Sequence, residues 1–220
     1  MTIRICVSIL PETIHQAQDL ISQAEDLQVD FVEVRLDQLG KSHHLVDLTS
    51  RHEIPLIAAD HLRREESERQ AILLDAAKSG FQYVDVPLAS PKLQSFVSKI
   101  KDTGCRSIVS FHDYAKTLSL PELNRILERE VSAGADVCKI VTTATKVEDN
   151  MTLLQFLQSA PIKKKPICFA MGEMGKTSRL LSAVLGGFFT FAALERGNET
   201  ASGQMTVQEM REAYELLGLR

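Results

Sequence analysis

Three stretches of this 220-residue chain place chemically active side chains within or at the end of apolar, β-rich segments. Lys139 lies within ADVCKIV, His112 ends SIVSFH, and Glu33 and Arg35 lie two residues apart in FVEVRLD. Burial penalises an ammonium ion and lowers the pKa of a lysine, so Lys139 is a candidate amine nucleophile for a carbonyl carbon. His112 is a candidate general acid and base, and Asp113 either orients its ring or caps the next helix.

Each of these assignments has a structural alternative. Lys139 could reach solvent from a strand end or pair with Asp136, and a lone histidine such as His112 is commonly structural. Glu33 and Arg35 could neutralise each other, or Arg35 could bind an anionic or hydroxyl-bearing ligand that Glu33 orients. The residue types alone leave these alternatives open.

The segment FAMGEMGKTSRL, residues 169–180, contains the GKT that ends a phosphate-binding P-loop. A complete P-loop requires G-x-x-x-x-G-K-[ST], and the position of its first glycine is occupied by Ala170. The segment therefore predicts a glycine-rich turn between a strand and a helix that begins near Ser178 and Arg179, and not a nucleotide site.

Composition limits the classes of function. The net charge of −4 argues against a nucleic-acid partner, and no apolar run is long enough to predict a membrane span. Four widely spaced cysteines in apolar runs give no metal-ligand spacing and predict buried, reduced thiols in a cytoplasmic protein. The N-terminal residues read as a strand, without the features of a signal peptide.

Short β-rich segments alternate with stretches whose apolar residues have helical spacing. The predicted strands are Ile3–Ile9, Asp30–Leu36, Pro55–Ala59, Tyr83–Leu88, Ser107–Phe111, Asp136–Val141, Ile167–Met171 and Phe188–Ala192. The predicted helices are Glu12–Leu27, Glu65–Ser79, Pro91–Thr103, Leu120–Ala133, Lys146–Ser159, Ser178–Leu185 and Val207–Leu217. Eight strands alternating with helices predict an α/β protein with parallel pairing, and favour a single (β/α)8 TIM barrel over residues 1–220.

Side-chain parity supports the barrel. Cys6 and Ser8 share one face of the first strand, and Glu33 and Arg35 share one face of the second, while the opposite faces are apolar. The outer face of a barrel strand packs on helices, whereas the inner face can carry polar groups near the C-terminal mouth, where active sites of this fold lie. The candidate lysine, histidine and charged pair are thus predicted to converge there.

At this point the sequence resembles the type I 3-dehydroquinate dehydratases of the shikimate pathway. The matching motifs are E-V-R-L-D, S-F-H-D-Y, C-K-I, M-G-x-x-G-x-x-S-R and T-A-S-G-Q, which occur in the order of the family between Ser8 and Gln204. Each motif is modest, but their joint occurrence in this order is specific.

The resemblance implies a hydro-lyase that converts 3-dehydroquinate to 3-dehydroshikimate through an imine, with neither cofactor nor metal. It implies that Lys139 forms the imine, that His112 is the general acid and base, and that Glu65 is the glutamate that partners this histidine. The implied substrate-binding residues are Ser8, Glu33, Arg35, Arg179, Thr200 and Gln204. Arg179 would bind the substrate carboxylate, and a tight turn at Gly172 and Gly175 would place Arg179 at the barrel mouth.

The chain departs from the family pattern after the third strand. The family has an arginine followed four residues later by E-G-G, whereas His61 stands at the arginine position here and Glu66 and Ser67 replace the two glycines. One substrate-binding arginine is missing unless Arg63 or Arg64 substitutes for it. Ser202 also replaces the usual proline of the last motif.

The same residues are compatible with two other functions. A second barrel that uses a lysine imine, such as a class I aldolase, needs similar residues, and a degenerate non-catalytic barrel is the rival from a different class. The resemblance also implies that the protein could form a homodimer and could be fused to shikimate dehydrogenase in a longer chain. The sequence does not decide either point.

Overall fold

The computed structural model describes residues 3–39, 44–61, 65–161 and 166–219, in which eight parallel strands alternate with helices. The strands are β1 (Ile5–Ile9), β2 (Phe31–Arg35), β3 (Leu56–Ala59), β4 (Tyr83–Pro87), β5 (Arg106–His112), β6 (Val137–Thr143), β7 (Ile167–Met171) and β8 (Thr190–Ala192). The helices are α1 (Ile14–Asp26), α2 (Val46–Thr49), α3 (Glu66–Lys78), α4 (Leu93–Lys101), α5 (Leu120–Ser132), α6 (Asp149–Ser159), α7 (Lys176–Ser182) and α8 (Val207–Leu216).

The strands form one sheet that curls into a barrel. Paired neighbours follow the order β7-β6-β5-β4-β3-β2-β1-β8, so β7 and β8 flank a seam. At this seam the Phe188 N–H donates to the Pro166 carbonyl oxygen at 3.1 Å. The predicted (β/α)8 architecture is confirmed, and the extent of the single domain, 1–220, stays a prediction.

All eight predicted strands and seven predicted helices are present, with ends displaced by a few residues. The short helix α2 and the 3₁₀ turn Glu173–Gly175 were not predicted, because one turn is too short to show a helical period. Arg63 and Arg64, the candidate replacements for the missing arginine, lie outside the described residues.

The interior of the barrel is filled by layers of side chains from alternate strands, as is usual for this fold. The lowest layers are mainly apolar, with Phe31, Tyr83, Val137 and Phe189 from the even strands and Cys6, Ile57, Ile108 and Ile167 from the odd strands. Two residues further along the even strands the next layer holds Glu33, Asp85, Lys139 and Phe191. The predicted parity is therefore confirmed. The layer that contains Glu33, Asp85 and Lys139, here called the ionic layer, packs directly on the apolar layers of the interior.

The opposite strand faces pack on the helices. Ile5, Val7 and Val32 belong to one apolar cluster, and Cys138 belongs to a second cluster that lies against α5 and α6. All four cysteines are buried, as predicted. Across the described residues, we found no helix with the length and apolar character needed to cross a membrane.

The loop that precedes α8 is held at both ends. The Thr206 hydroxyl accepts the Glu209 N–H at 3.1 Å, and the Glu209 carboxylate accepts the Thr206 N–H at 2.9 Å. This reciprocal capping box fixes the start of α8. The chain directly before it, which carries the T-A-S-G-Q motif, is joined to the turn after β7, where the Gly172 N–H donates to the Ser202 carbonyl oxygen at 3.0 Å.

A buried acid lies behind the ionic layer, on the outer face of the barrel. Glu130 of α5 is 0% exposed. Burial raises the pKa of Glu130 well above its usual range, and the neighbouring Cys138 thiol and Lys139 backbone lower it only in part. The unfolded chain therefore releases this proton at a lower pH than the folded protein, and the folded state loses stability as the pH rises through that interval.

We expect Glu130→Gln to stabilise the protein increasingly as the pH rises above about 4.3, the usual glutamate pKa. The gain in unfolding free energy over the parent should grow by up to about 1.4 kcal/mol per pH unit until the folded pKa is reached. Urea unfolding between pH 4 and 8 measures it, with Glu128→Gln on the exposed face of the same helix as the control. A gain that is the same at every pH would contradict the assignment.

Candidate active site

The ammonium group of Lys139 lies between two carboxylates inside the barrel. Its Nζ donates to Asp85 Oδ2 at 2.8 Å and to Glu33 Oε2 at 3.2 Å, and it lies 4.6 Å from the centroid of the Phe191 ring. All three ionic side chains are almost completely buried. The Lys139 pairing with Asp136 considered above does not occur, because Asp136 binds Ser107 and Lys101 instead.

The effect of this pairing corrects the expected pKa of Lys139. Burial by itself lowers the pKa, as expected from the sequence, but the charges and hydrogen bonds of Asp85 and Glu33 outweigh it and raise the Lys139 pKa above its usual value. The amine is therefore protonated in the free protein at neutral pH, and a proton has to leave before Lys139 can attack a carbonyl carbon.

Asp85 is a residue of the candidate site that the sequence did not predict. Burial alone would raise its pKa, but Lys139 and the nearby histidines bring the Asp85 pKa down to about 2, so the carboxylate is ionised. A signal was available: Asp85 is the one charged residue of YVDVP, a strand that is otherwise apolar, and its parity matches that of Tyr83 on the inner face.

Glu33 and Arg35 do not pair with each other. The Ser8 hydroxyl donates to the second Glu33 oxygen at 2.7 Å, so Ser8 reaches the site through Glu33. Arg35 instead forms a two-point ion pair with Asp37, with its Nε donating to Asp37 Oδ1 at 3.0 Å. The alternative in which Glu33 and Arg35 neutralise each other is therefore wrong.

His112 closes β5 at the mouth of the barrel, with its imidazole beside the ring of Tyr114 at 5.9 Å between centroids. Burial lowers the His112 pKa to about 3, and the positive charge of Lys139 contributes to the shift. His112 is thus neutral at physiological pH and able to accept a proton. Asp113 does not hold the ring, because its carboxylate accepts the N–H groups of Ala115 and Lys116.

His61, at the position of the missing arginine, lies next to His112. The two imidazoles meet edge to face, with 5.3 Å between centroids and an angle of 86° between the ring planes. Glu65, in contrast, is exposed at the start of α3, and its side chain makes no capping hydrogen bond. The geometry does not bring Glu65 into the cavity, so its proposed partnership with His112 stays a prediction.

Arg179 is a buried guanidinium that faces the cavity. It is 1% exposed and stacks on Phe169 at 4.3 Å, and its Nε and Nη2 have no hydrogen-bond partner among the described residues. Burial lowers the Arg179 pKa to about 9. A buried cation with open donors is costly to maintain, and an anionic ligand would relieve that cost.

The glycine-rich turn explains how Arg179 reaches this place. Gly172 has a φ of +86°, and a Cβ on Gly175 would lie 2.6 Å from the Ala170 carbonyl oxygen. The Ser178 hydroxyl accepts the Ala170 N–H at 3.0 Å and so ties the first turn of α7 to β7. The turn is therefore tight, as predicted, and it aims a cation at the barrel mouth.

The predicted residues gather around one cavity of about 300 Å³. It is lined by seven of them: Lys139, His112, Glu33, Arg35, Arg179, Thr200 and Gln204. Gln204 Oε1 accepts the Thr200 N–H at 2.7 Å, which holds the last loop closed on itself. His61 and Tyr114, which the sequence analysis did not assign to the site, also line it.

One group among the described residues has the geometry of metal ligands. Ligand atoms of Glu33, His61 and Asp85 lie within 4.8 Å of one another. The ammonium group of Lys139 already binds both carboxylates, so a metal ion would compete with an internal cation at this place. The expectation that neither metal nor cofactor is needed stays a prediction.

Comparison with known proteins agrees with this geometry. The family model described as type I 3-dehydroquinase matches residues 5–220. The chain belongs to the type I 3-dehydroquinase family. Its resemblance to that family is thus confirmed, and with it the enzyme class, a hydro-lyase.

Individual relatives are similar over most of the chain. A 3-dehydroquinate dehydratase of Dehalococcoides mccartyi is 35% identical over 191 residues, which cover 84% of each chain. A bifunctional 3-dehydroquinate dehydratase/shikimate dehydrogenase of Arabidopsis thaliana is 31% identical over 96% of this chain and 36% of its own length. Fusion to a dehydrogenase thus exists among the relatives, and for this chain it stays a prediction.

A solved structure supports the fold. The type I 3-dehydroquinate dehydratase of Clostridium difficile, determined with covalently modified comenic acid, superposes with a TM-score of 0.87 at 23% identity. The alignment covers 97% of this chain and 92% of that one. At this identity, the likeness shows that the two proteins share the barrel.

We expect Asp85→Asn to lower the pKa of Lys139, because the variant loses the closer of its two counter-charges while the burial remains. Reductive methylation of the free protein at a series of pH values, followed by mass spectrometry of the Lys139 peptide, reports the fraction of neutral amine. The midpoint of labelling should fall by about one pH unit or more, which corresponds to about 1.4 kcal/mol.

Glu33→Gln is the matched comparison for this experiment. It removes the more distant carboxylate and should shift the midpoint in the same direction. Identical midpoints in the parent and both variants would show that the two carboxylates do not set the Lys139 pKa.

Proposed function

We propose that the protein converts 3-dehydroquinate to 3-dehydroshikimate and water through an imine between Lys139 and the ring ketone of the substrate. The observation that carries this proposal is the burial of Lys139 between Glu33 and Asp85, in one cavity with His112 and Arg179. Membership of the type I 3-dehydroquinase family supports the substrate and the reaction.

The two carboxylates suit an iminium ion as well as an ammonium ion. An iminium formed on Lys139 carries the same positive charge at the same nitrogen, so Glu33 and Asp85 stabilise it without rearrangement. The same carboxylates make an earlier step less favourable. They stabilise the ammonium form of Lys139, which must lose a proton before it can attack the ketone. We assign this proton to neutral His112 in the same cavity. The positive charge of Lys139, which helps to lower the His112 pKa, disappears when the proton is transferred.

The reaction balances with these groups alone. The neutral amine adds to the ketone carbon, and one proton passes from the nitrogen to the oxygen. His112 then returns the proton taken from Lys139 to this oxygen, which leaves as water, so that the iminium forms and His112 is neutral again. His112 removes a proton from the adjacent carbon, and the electron pair moves into the iminium to give an enamine. The enamine expels the tertiary hydroxyl, which takes the proton from His112 and leaves as water. Hydrolysis of the conjugated iminium then releases the product and regenerates the amine.

Arg179 is assigned to the substrate carboxylate. Its open Nε and Nη2 donors suit a two-point bond with a carboxylate, and its stacking on Phe169 fixes the plane of the guanidinium. The positive charge of Arg179 would balance the negative charge of the bound carboxylate, and this attraction would offset the loss of its hydration. The ring ketone would then lie toward Lys139.

The remaining predicted residues are assigned to the substrate hydroxyls. Glu33, Arg35, Thr200 and Gln204 line the cavity around Lys139, and the Ser8 hydroxyl orients Glu33 by a hydrogen bond. A ligand of this size, with hydroxyl groups around its ring, needs such convergent polar groups for its orientation. Glu65 keeps its proposed catalytic role only through the resemblance.

Neither rival function gains support. The family match favours water loss over the carbon–carbon cleavage of an aldolase, although the lysine chemistry is common to both. A degenerate barrel would not need an ionised Asp85 beside a buried lysine and an open guanidinium. A homodimer and a cytoplasmic location remain predictions.

The first experiment is trapping of the imine. The protein is incubated with 3-dehydroquinate, reduced with borohydride, and analysed as the intact chain and as peptides by mass spectrometry. We expect one covalent adduct on Lys139, none in Lys139→Met, and an undiminished adduct in Lys146→Met, whose lysine is exposed. An unmodified chain at saturating substrate, with its fold verified by circular dichroism, would falsify the proposed mechanism.

Substitution of Arg179 tests the carboxylate assignment. Loss of a charge-assisted hydrogen bond costs about 1.5–3 kcal/mol, so Arg179→Gln should raise KM by about 10- to 150-fold. Arg179→Lys keeps the charge but loses the planar two-point geometry, and should give an intermediate KM. Steady-state dehydration kinetics measure both, and equal KM values in the parent and the two variants would contradict the role of Arg179.

A further inference from the structure

His112 is held between two aromatic rings inside the cavity. The Tyr114 ring stacks on it at 12° between planes, and the His61 ring meets it edge to face at 86°. Tyr114 is 71% exposed, whereas His61 is largely shielded from solvent. The contact between His61 and His112 is therefore less exposed to solvent than the contact between Tyr114 and His112.

The groups that usually orient an acid–base imidazole are engaged elsewhere. The Asp113 carboxylate accepts two backbone N–H groups of its own loop, and the Glu65 side chain is exposed. Within the described residues, the structure contains no hydrogen bond between the His112 ring and a carboxylate. The orientation of this ring thus depends on packing.

His61 is itself anchored from the second strand. Its backbone N–H donates to Asp37 Oδ1 at 3.1 Å, and Asp37 is held by the two-point ion pair with Arg35. The backbone of His61 is therefore fixed relative to the end of β2, and the ring starts from a fixed Cα position. A packed ring placed by such an anchor can hold its neighbour in one rotamer.

We propose that His61 is the positioning residue of the acid–base group: its ring fixes the His112 imidazole toward the carbon next to the Lys139 imine. This inference rests on the proposed function. The contact acts through ring shape and packing, so an aromatic ring without nitrogen atoms can replace it. The titratable and charged groups that face His112 are His61 itself, Lys139 on β6, Asp85 on β4 and Arg35 on β2. The last three remain in place when residue 61 is changed, and the charge of a protonated His61 is lost in every variant at this position.

The test compares two apolar side chains at position 61, one with a ring and one without. His61→Phe keeps the ring, and His61→Leu fills much of the space without one. We expect kcat for dehydration to fall by about tenfold or more in His61→Leu, since small misplacements of a catalytic group are costly, and to stay within about threefold of the parent in His61→Phe. KM should change little in either variant.

The pH dependence of kcat/KM gives a second readout that a purely structural role would not move. Both variants lose the His61 charge, so the comparison that isolates the ring is between His61→Leu and His61→Phe. Water that enters beside His112 in His61→Leu relieves its desolvation, so the acidic limb should lie at higher pH in His61→Leu than in His61→Phe. Thermal unfolding establishes that both variants fold. If one does not fold, His61→Tyr replaces the phenylalanine variant or His61→Met the leucine variant.

Three outcomes would overturn the proposal: the same kcat and pH profile in His61→Leu as in the parent, a change confined to KM, or no recovery in His61→Phe. The last two would indicate that the nitrogen atoms of His61 contact the substrate. Imine trapping on Lys139 of the unsubstituted protein is measured in parallel, because its absence would refute the proposed function and leave the packing of His112 unaffected.

Discussion

The buried ion pair network of Lys139, Glu33 and Asp85 is the interaction on which the site depends. In a TIM barrel each layer is filled by four side chains from alternate strands, and this layer contains three charged groups and the Phe191 ring. A lone ammonium ion there would be strongly disfavoured, and so would either carboxylate. The three groups are tolerable only together, so the lysine to which we assign the imine chemistry also balances the charge of the two buried carboxylates.

This arrangement gives the barrel an internal division. Below the ionic layer the interior is apolar and closely packed, which excludes water from the lower side of Lys139. Above it lies the cavity, which His112, Arg35 and Arg179 line. In the proposed mechanism, a positive charge on the Lys139 nitrogen is balanced by carboxylates that are already in place, and little reorganisation is needed.

The upper part of the site is less complete than the lower part in the free protein. Among the residues that the structure describes, two nitrogen atoms of Arg179 have no hydrogen-bond partner, whereas Lys139 contacts both of its carboxylates. A buried guanidinium with unpaired donors destabilises the free protein, and a carboxylate ligand that accepts hydrogen bonds from those donors would remove this cost. The tight turn at Gly172 and Gly175 places this cation where solvent cannot satisfy it.

The sequence by itself determined the order of the strands and helices, the inward parity of Glu33 and Arg35, and the motifs that identify the family, because these are local or periodic features. It did not determine the partner of Lys139. Asp136 is close along the chain, but Glu33 and Asp85 are 106 and 54 residues away, and only closure of the barrel brings them together. The sign of the Lys139 pKa shift followed from those partners and was therefore wrong in the sequence analysis. The same reason applies to His61 and His112, whose contact depends on how two strand ends meet in space.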